Sequence, residues 1–151
     1  MAAPAWLAKA CEKIQGQTTG APSSIAQRAA LAAIRGDKKP IRLMADTYRE
    51  RRDLCMQLLE EIPALRTNTP LGAFFLFPDV SAYLGRIDGQ RVIQNTDMLC
   101  MYLLQEAHVS VVAGSAFGAP NCVRISYAAT EKELRIALQR IKEALAKLKA
   151  P

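Results

Sequence analysis

The sequence predicts an α/β protein that is helical in its first part and combines strands with helices in the remainder. Three observations carry this prediction. Apolar residues recur at helical spacing up to Ile62. Continuous or alternating apolar runs, typical of strands, lie between residues 73 and 127, and the chain closes with an amphipathic helix. Half of the 151 residues are hydrophobic and 23% are charged, as in a globular protein with a sizeable core.

Three helices are predicted before Pro63. The first covers residues 4–14, because Pro4 suits a first turn and a polar stretch follows Ile14. The second starts near Ser23, whose hydroxyl can cap it, and runs through an alanine-rich segment to Ile34. The third, from Ile41 to Ile62, carries the charged run Arg49–Asp53, which indicates a solvated face. We expect this long helix to connect two bodies.

Three strands follow in the prediction. The apolar run 73–77 favours a buried strand over the alternative that its phenylalanines line a ligand pocket. Residues 79–94 are predicted as a loop, and a helix over 96–107 has Leu99 and Leu103 on its core face. The other two strands are 109–113 and 122–127, joined by the tight loop Gly114–Gly118.

Side chains alternate in the last predicted strand. One face carries Cys122, Arg124 and Ser126, and the other carries Val123, Ile125 and Tyr127. The arginine therefore points to the side where its neighbours are small or polar. A capping box of Thr130 and Glu133 opens the final helix. Its apolar positions follow alternate spacings of four and three: Leu134, Leu138, Ile141, Leu145 and Leu148.

Composition limits the classes of function. The formal charge is +6, but only 6% of residues are aromatic and no basic cluster alternates with them, which argues against nucleic-acid binding. No apolar run is long enough to cross a membrane, and the first residues lack a basic start followed by an apolar stretch. We expect a soluble, cytoplasmic protein without a membrane partner.

Cysteine and histidine usage narrows the chemistry further. The four cysteines, Cys11, Cys55, Cys100 and Cys122, have none of the close spacings of zinc or redox motifs, so we predict reduced, mostly buried thiols and no metal site. The single histidine, His108, lies at a predicted helix-to-strand junction. A structural role is favoured there over a Cys/His catalytic pair.

Three places could bind an anion. Arg124 can grip a carboxylate through two parallel hydrogen bonds, although from spacing alone a solvated arginine on an edge strand is the commoner case. The loop Gly114–Gly118 lacks the lysine of a phosphate-binding loop. Gln17, Thr18 and Thr19 precede a helix start where a phosphate would be favourable, but ordinary capping and turn formation is the commoner explanation of such a stretch.

Three motifs occur in a familiar order. The first motif consists of Gln15–Thr19 and Pro22–Gln27, and the second is Pro70–Val80. The third motif consists of Gly114–Gly118 and Val123–Ala128. This series resembles the C-terminal part of a class I aminotransferase, closest to bacterial aspartate aminotransferases, which are pyridoxal-phosphate enzymes of fold type I. The resemblance extends over essentially the whole chain.

The resemblance implies roles for individual residues. The arginine of the family's Arg-Ile-Ser-Tyr-Ala motif, Arg124 here, binds the α-carboxylate of the substrate. Gln17, Thr18 and Thr19 would lie near the cofactor and the dimer interface. The strand from Ala73 and the loop Gly114–Gly118 would pack on the substrate side. No catalytic residue is assigned in this chain.

The resemblance also implies an α+β small domain preceded by helices of a large domain. Residues 1–40 would form the C-terminal end of the large, cofactor-binding domain. Residues 41–63 would be the long helix that connects the two domains, and residues 64–151 would form the small domain. Amino acids and 2-oxo acids would be the substrates, with aspartate preferred, and the full-length enzyme would be a homodimer.

The family's Schiff-base lysine lies in a Ser-Lys segment ending in Gly-Trp-Arg-x-Gly-Tyr, and no lysine of this sequence has that context. Transamination needs that lysine and pyridoxal phosphate, so we expect these 151 residues to be inactive alone, without covalently bound cofactor. The alternative is a non-catalytic binding or regulatory module derived from the small domain.

Overall fold

The structure is a computed structural model that describes residues 3–89 and 91–150. Contacts between Cα atoms divide the chain into two compact units, with the division between Pro40 and Ile41. The helix-and-strand mixture predicted from the sequence is present in the described residues. None of the described helices is both long and apolar enough to cross a membrane.

The first unit contains α1 (Ala5–Thr18) and α2 (Ser24–Arg35). The prediction ended α1 at residue 14, which is four residues too early. The polar residues that follow stay helical, and the Thr18 hydroxyl donates to the Ile14 carbonyl at 2.9 Å. The second helix starts as predicted, with the Ser23 hydroxyl accepting from the Ala26 N–H at 3.2 Å. Neither helix has a buried residue.

The long helix α3 (Lys39–Glu60) begins two residues earlier than predicted. The Asp37 carboxylate accepts from the Lys39 N–H at 2.8 Å, and a proline at residue 40 is tolerated because first-turn N–H groups have no helical partner. The prediction that Arg49–Asp53 is a solvated face is wrong for Arg52, whose side chain is 21% exposed and donates to the Pro70 carbonyl.

A three-stranded antiparallel sheet lies in the second unit, with strand order β1-β5-β4. Its strands are β1 (Phe75–Leu76), β4 (Val112–Ala113) and β5 (Val123–Ser126). Each is shorter than predicted, since few residues have a neighbouring strand to pair with. The predicted loop 79–94 contains a hairpin of β2 (Ile87–Asp88) and β3 (Arg91–Val92), which the sequence interpretation missed.

Two helices complete the second unit. The helix α4 (Thr96–Tyr102) continues as a π-helical turn, Leu103–Ala107, which ends at His108 in the left-handed conformation. His108 thus occupies the predicted junction. The last helix, α5 (Glu131–Lys147), opens with the predicted capping box of Thr130 and Glu133.

The core of the second unit is the apolar face of α5 against the sheet, α3 and α4. The predicted positions on α4, α5 and β5 are all buried: Leu99, Leu103, Val123, Ile125, Tyr127, Leu134, Leu138, Ile141, Leu145 and Leu148. The four cysteines carry free thiols. Only Cys55 is fully buried and the other three are half-buried, which corrects the expectation of mostly buried thiols.

Candidate functional site

Arg124 lies on β5, the central strand of the sheet, and its side chain is half-buried. The residues on either side of it, Val123 and Ile125, point into the core. Because alternate residues of a strand face opposite ways, Arg124 lies on the side away from the core. The alternation predicted from the sequence is therefore confirmed by burial.

Two aromatic rings sandwich the Arg124 guanidinium. Its central carbon lies 4.4 Å from the centroid of the Phe75 ring and 4.5 Å from that of the Phe117 ring. The Phe77 ring meets Phe117 edge to face, with centroids 6.1 Å apart. Cation–π contact with both rings restricts the guanidinium, whose N–H donors lie along the edge of the planar group.

The strand register explains how the phenylalanines reach Arg124. Phe75 pairs with Ser126 across β1 and β5. The Tyr127 N–H donates to the Phe74 carbonyl at 2.9 Å and the Val123 N–H donates to that of Pro78 at 3.1 Å, so the ladder continues past both ends of β1. This register sets Phe77 beside Arg124 and Phe75 on the same face.

The expectation that the aromatic run is simply a buried strand is therefore wrong. Leu76 is buried, whereas Phe75 and Phe77 are half-buried and Phe74 is exposed. Phe75 and Phe77 lie on the same face of the sheet as Arg124. Phe117 was not singled out from the sequence, and only the fold of the loop brings it over Arg124.

The loop predicted at Gly114–Gly118 forms a 3₁₀ turn, Gly114–Phe117. The Gly114 N–H donates to the Cys122 carbonyl at 2.7 Å, and its carbonyl accepts from the Ala119 N–H at 3.0 Å. A Cβ on Gly114 would collide with the carbonyl oxygens of both residues. Glycine is therefore needed to turn the chain so that Phe117 covers Arg124.

No side-chain hydrogen bond or ion pair joins Arg124 to another residue in the part of the chain that the structure describes. The half-buried arginine thus has stacking partners for its faces and no protein acceptor for its edge. This arrangement can receive a planar anion through two parallel N–H donors, which is how arginine binds a carboxylate.

Two ionisable side chains on or next to β5 have a raised pKa. Cys122 lies on the same face of β5 as Arg124, and partial burial together with the charge of Asp79 raises the pKa of its thiol. Burial also raises the pKa of the Tyr127 hydroxyl, which donates to the Ala73 carbonyl at 2.9 Å. Neither is poised as a nucleophile or base at neutral pH.

Gln17, Thr18 and Thr19 lie in the first unit, at the end of α1 and just after it. They still precede the start of α2, but Gln17 and Thr18 belong to α1, because α1 extends further than predicted. The hydroxyls of Thr18 and Thr19 each donate to a carbonyl four residues earlier, at 2.9 Å. Ordinary capping, the alternative stated from the sequence, describes these contacts.

The described residues contain no group of three or more His, Cys, Asp or Glu side chains suited to a metal ion. A mostly apolar cavity of about 380 Å³ lies between the β2–β3 hairpin and α4 and includes Met98 and Met101 in its lining. It lacks Arg124. Arg124 lies instead where β5, β1 and the Gly114 loop meet.

Comparison with known proteins identifies relatives over the full length of the chain. Residues 1–141 match the family described as "Aminotransferase class I and II". The bifunctional aspartate aminotransferase and glutamate/aspartate-prephenate aminotransferase of Petunia hybrida is 43% identical over 155 residues, covering 100% of this chain and 32% of the relative. The aspartate aminotransferase of Rhizobium meliloti strain 1021 is 42% identical, covering 96% and 36%.

Solved structures agree with these matches. The crystal structure of the aspartate aminotransferase from Rhizobium meliloti superposes with a TM-score of 0.87 and 39% identity, covering 97% of this chain and 37% of that one. The aromatic aminotransferase from Pyrococcus horikoshii OT3 gives a TM-score of 0.81 and 33% identity. This chain spans about a third of the length of the curated relatives it matches.

Proposed function

Because this chain belongs to the class I and II aminotransferases, we propose that it supplies the carboxylate-binding arginine of an enzyme that moves amino groups between amino acids and 2-oxo acids. Arg124 is that residue. Aspartate is the proposed amino donor, since the similar curated proteins are named as aspartate or aspartate/prephenate aminotransferases. The complete enzyme would act as a homodimer in the cytoplasm, where free cysteines persist.

One observation carries the proposal: the guanidinium of Arg124 contacts two aromatic rings and has no side-chain hydrogen bond or ion pair among the described residues. None of the Arg124 nitrogens is buried without a hydrogen-bond partner, so a ligand can reach these donors. The ligand would supply their acceptor. A substrate α-carboxylate fits because its two oxygens match two parallel N–H donors of the fixed guanidinium.

Pyridoxal phosphate is the cofactor that this family implies, and it would supply the electron sink for amino transfer. The residues described here do not build a site for it. The hydroxyls of Thr18 and Thr19 each donate to a carbonyl of α1, and the cavity described above is lined by other residues. We propose Gln17–Thr19 as a segment near the cofactor and subunit interface of the complete enzyme, and derive no chemical step through it.

We further propose that these 151 residues do not transaminate by themselves, because no lysine of the sequence lies in the family's Schiff-base motif. A pyridoxal-phosphate titration followed by borohydride reduction tests this part. We expect no stoichiometric imine on a specific lysine. A reducible, stoichiometric imine would contradict it, and a chain that binds carboxylates but complements no aminotransferase would favour the non-catalytic module.

A chimera tests the main proposal. Residues 1–151 replace the equivalent segment of the Rhizobium meliloti enzyme, and transamination of aspartate is measured. We expect activity, and we expect Arg124→Lys to raise KM roughly 30-fold, from loss of about 2 kcal/mol in charged hydrogen bonding. Arg135→Lys is the matched control, since Arg135 pairs with Glu131 on the exposed face of α5. An inactive folded chimera, or equal KM values for both variants, would contradict the proposal.

A further inference from the structure

The segment from Ser115 to Pro120 carries the Phe117 ring that covers one face of Arg124. Phe117 is itself about half exposed, and its ring contacts are with Arg124 and Phe77. About half of this side chain is in contact with solvent rather than with the core. Its position over the arginine therefore depends on how the backbone of this short segment is held.

Two side chains at the start of α4 hold the two ends of this segment. The Thr96 hydroxyl donates to the Pro120 carbonyl at 3.1 Å. One residue later, the Asp97 carboxylate accepts from the Ser115 hydroxyl at 3.3 Å. The first residue and the last residue of the segment are thus tied to consecutive positions of one helix.

Thr96 is a polar residue in a buried position. It is 1% exposed and is the one buried polar residue in the described parts of the chain. A threonine here keeps a hydroxyl away from water, which costs free energy unless the hydroxyl is hydrogen-bonded. Its one side-chain hydrogen bond is to Pro120, so the interaction with the Phe117 segment is what stabilises a polar group in this position.

The helix that carries these two residues is itself firmly anchored. Asn95 caps it by accepting from the Met98 N–H at 2.9 Å. Leu99 is completely buried, and the Tyr102 hydroxyl donates to the Ala144 carbonyl at 2.9 Å. The segment that is hydrogen-bonded to α4 is therefore held by a helix that is itself fixed to the core.

We propose that Thr96 and Asp97 position Phe117 against Arg124 and so fix the orientation of the guanidinium. Thr96 acts through its hydrogen bond to Pro120, and Asp97 acts through its hydrogen bond to Ser115. Neither Thr96 nor Asp97 contacts a substrate in this account, because both act through the segment 115–120. The importance of this orientation for substrate binding rests on the proposed function of Arg124, whereas the positioning itself does not.

The proton signal of the Arg124 Nε–H in nuclear magnetic resonance reports the stacking without any ligand. Ring currents from Phe75 and Phe117 displace this signal upfield, and it is assigned by its loss in Arg124→Lys. We expect Phe117→Leu to shift the signal downfield. Thr96→Val replaces the hydroxyl by a methyl group of similar size and should shift the signal in the same direction, while Thr96→Ser, which keeps the hydroxyl, should leave it at the wild-type position.

Two further variants keep the test decisive. Thr47→Val is the matched control, because the Thr47 hydroxyl donates within its own helix to the Leu43 carbonyl, and it should leave the signal unmoved. Ser115→Ala lies on the exposed surface and gives the second measurement if Thr96→Val does not fold. We expect it to shift the signal downfield as well.

The proposal is overturned if Thr96→Val folds and leaves the Arg124 signal in place while Phe117→Leu moves that signal. If Thr96→Val does not fold, the proposal is overturned when Ser115→Ala leaves the signal in place. It is also overturned if Phe117→Leu has no effect, since the ring then does not cover Arg124. These outcomes are separate from the fate of the proposed function. A chain that binds no carboxylate but shows the expected shifts would contradict the proposed function and support the positioning role of Thr96 and Asp97.

Discussion

The guanidinium carbon of Arg124 lies 4.4 Å from the centroid of the Phe75 ring, although the two residues are on different strands and far apart in sequence. The antiparallel pairing of β1 with β5 produces this contact. A second ring, that of Phe117, closes the other face. The arginine is thereby oriented before any ligand arrives, which reduces the ordering that binding requires.

Replacing Gly114 by alanine should disturb this arrangement. A Cβ at Gly114 would overlap the carbonyl oxygens of Ala119 and Cys122, so the loop would have to move. We expect a loss of about 3 kcal/mol in the free energy of unfolding, typical of steric overpacking. Gly72→Ala is the control, because nothing lies within 4 Å of its added Cβ. Denaturant unfolding checks the pair, and equal stabilities would refute the steric argument.

The fold was predictable where local chemistry decides it. The capping box of Thr130 and Glu133, the cap at Ser23 and the apolar spacing of α5 are all visible in the sequence and present in the structure. The hairpin β2–β3 was missed because its strands have two residues each and no long alternating pattern. The end of α1 was missed because threonine hydroxyls can bond within the helix as well as interrupt it.

The site was predictable only in part. Arg124 on the outer face of a strand follows from alternation, and the family resemblance, which the comparisons confirm, gave it a role. The aromatic sandwich could not be derived, because it needs the register of β1 against β5 and the turn at Gly114. Both are tertiary features, and Phe117 has no local signature that distinguishes it from an ordinary exposed loop residue.

Acidification should destabilise the chain through Glu133. Hydrogen bonds from the Thr130 hydroxyl and N–H hold the pKa of the Glu133 carboxyl below its ordinary value of 4.5. A depressed folded-state pKa contributes stability above the unfolded value, and this contribution is lost as the pH falls through the folded value. Glu133→Gln keeps a capping acceptor without titrating, so the loss of stability below about pH 4.5 should be smaller. Urea unfolding of both chains across this pH range measures the difference. The same pH dependence of stability in Glu133→Gln and in the unaltered chain would contradict the prediction.

Thiol reactivity should follow burial. Desolvation raises the pKa of both Cys55 and Cys100 to about 11, and Cys55 has no exposed surface. We expect Cys55 to react with a thiol reagent at pH 8 only after denaturation, whereas the half-buried Cys11 reacts in the folded chain. Peptide mapping after timed alkylation measures both rates. Rapid labelling of Cys55 under native conditions would show that α3 does not pack as described.

The first unit should make the chain associate in solution. Trp6 is 72% exposed and Ile25 is 82% exposed, and neither α1 nor α2 has a buried residue. Apolar surface of this kind favours association. We expect sedimentation velocity to detect oligomers whose population falls when Ile25 is replaced by serine. Ile136→Ser on α5 removes a less exposed apolar side chain and is the control. A monodisperse monomer of the unaltered chain would be inconsistent with this prediction.

The most direct test of the central claim is a carboxylate titration observed at Arg124 itself. The Nε–H signal is followed as acetate, aspartate or the uncharged analogue acetamide is added at constant ionic strength. Both carboxylates should shift the signal saturably and acetamide should not, because charged acceptors bind a guanidinium far more strongly than neutral ones. If the carboxylates leave the Arg124 signal unmoved, or if acetamide shifts it equally, Arg124 is not the carboxylate-binding residue of this aminotransferase chain.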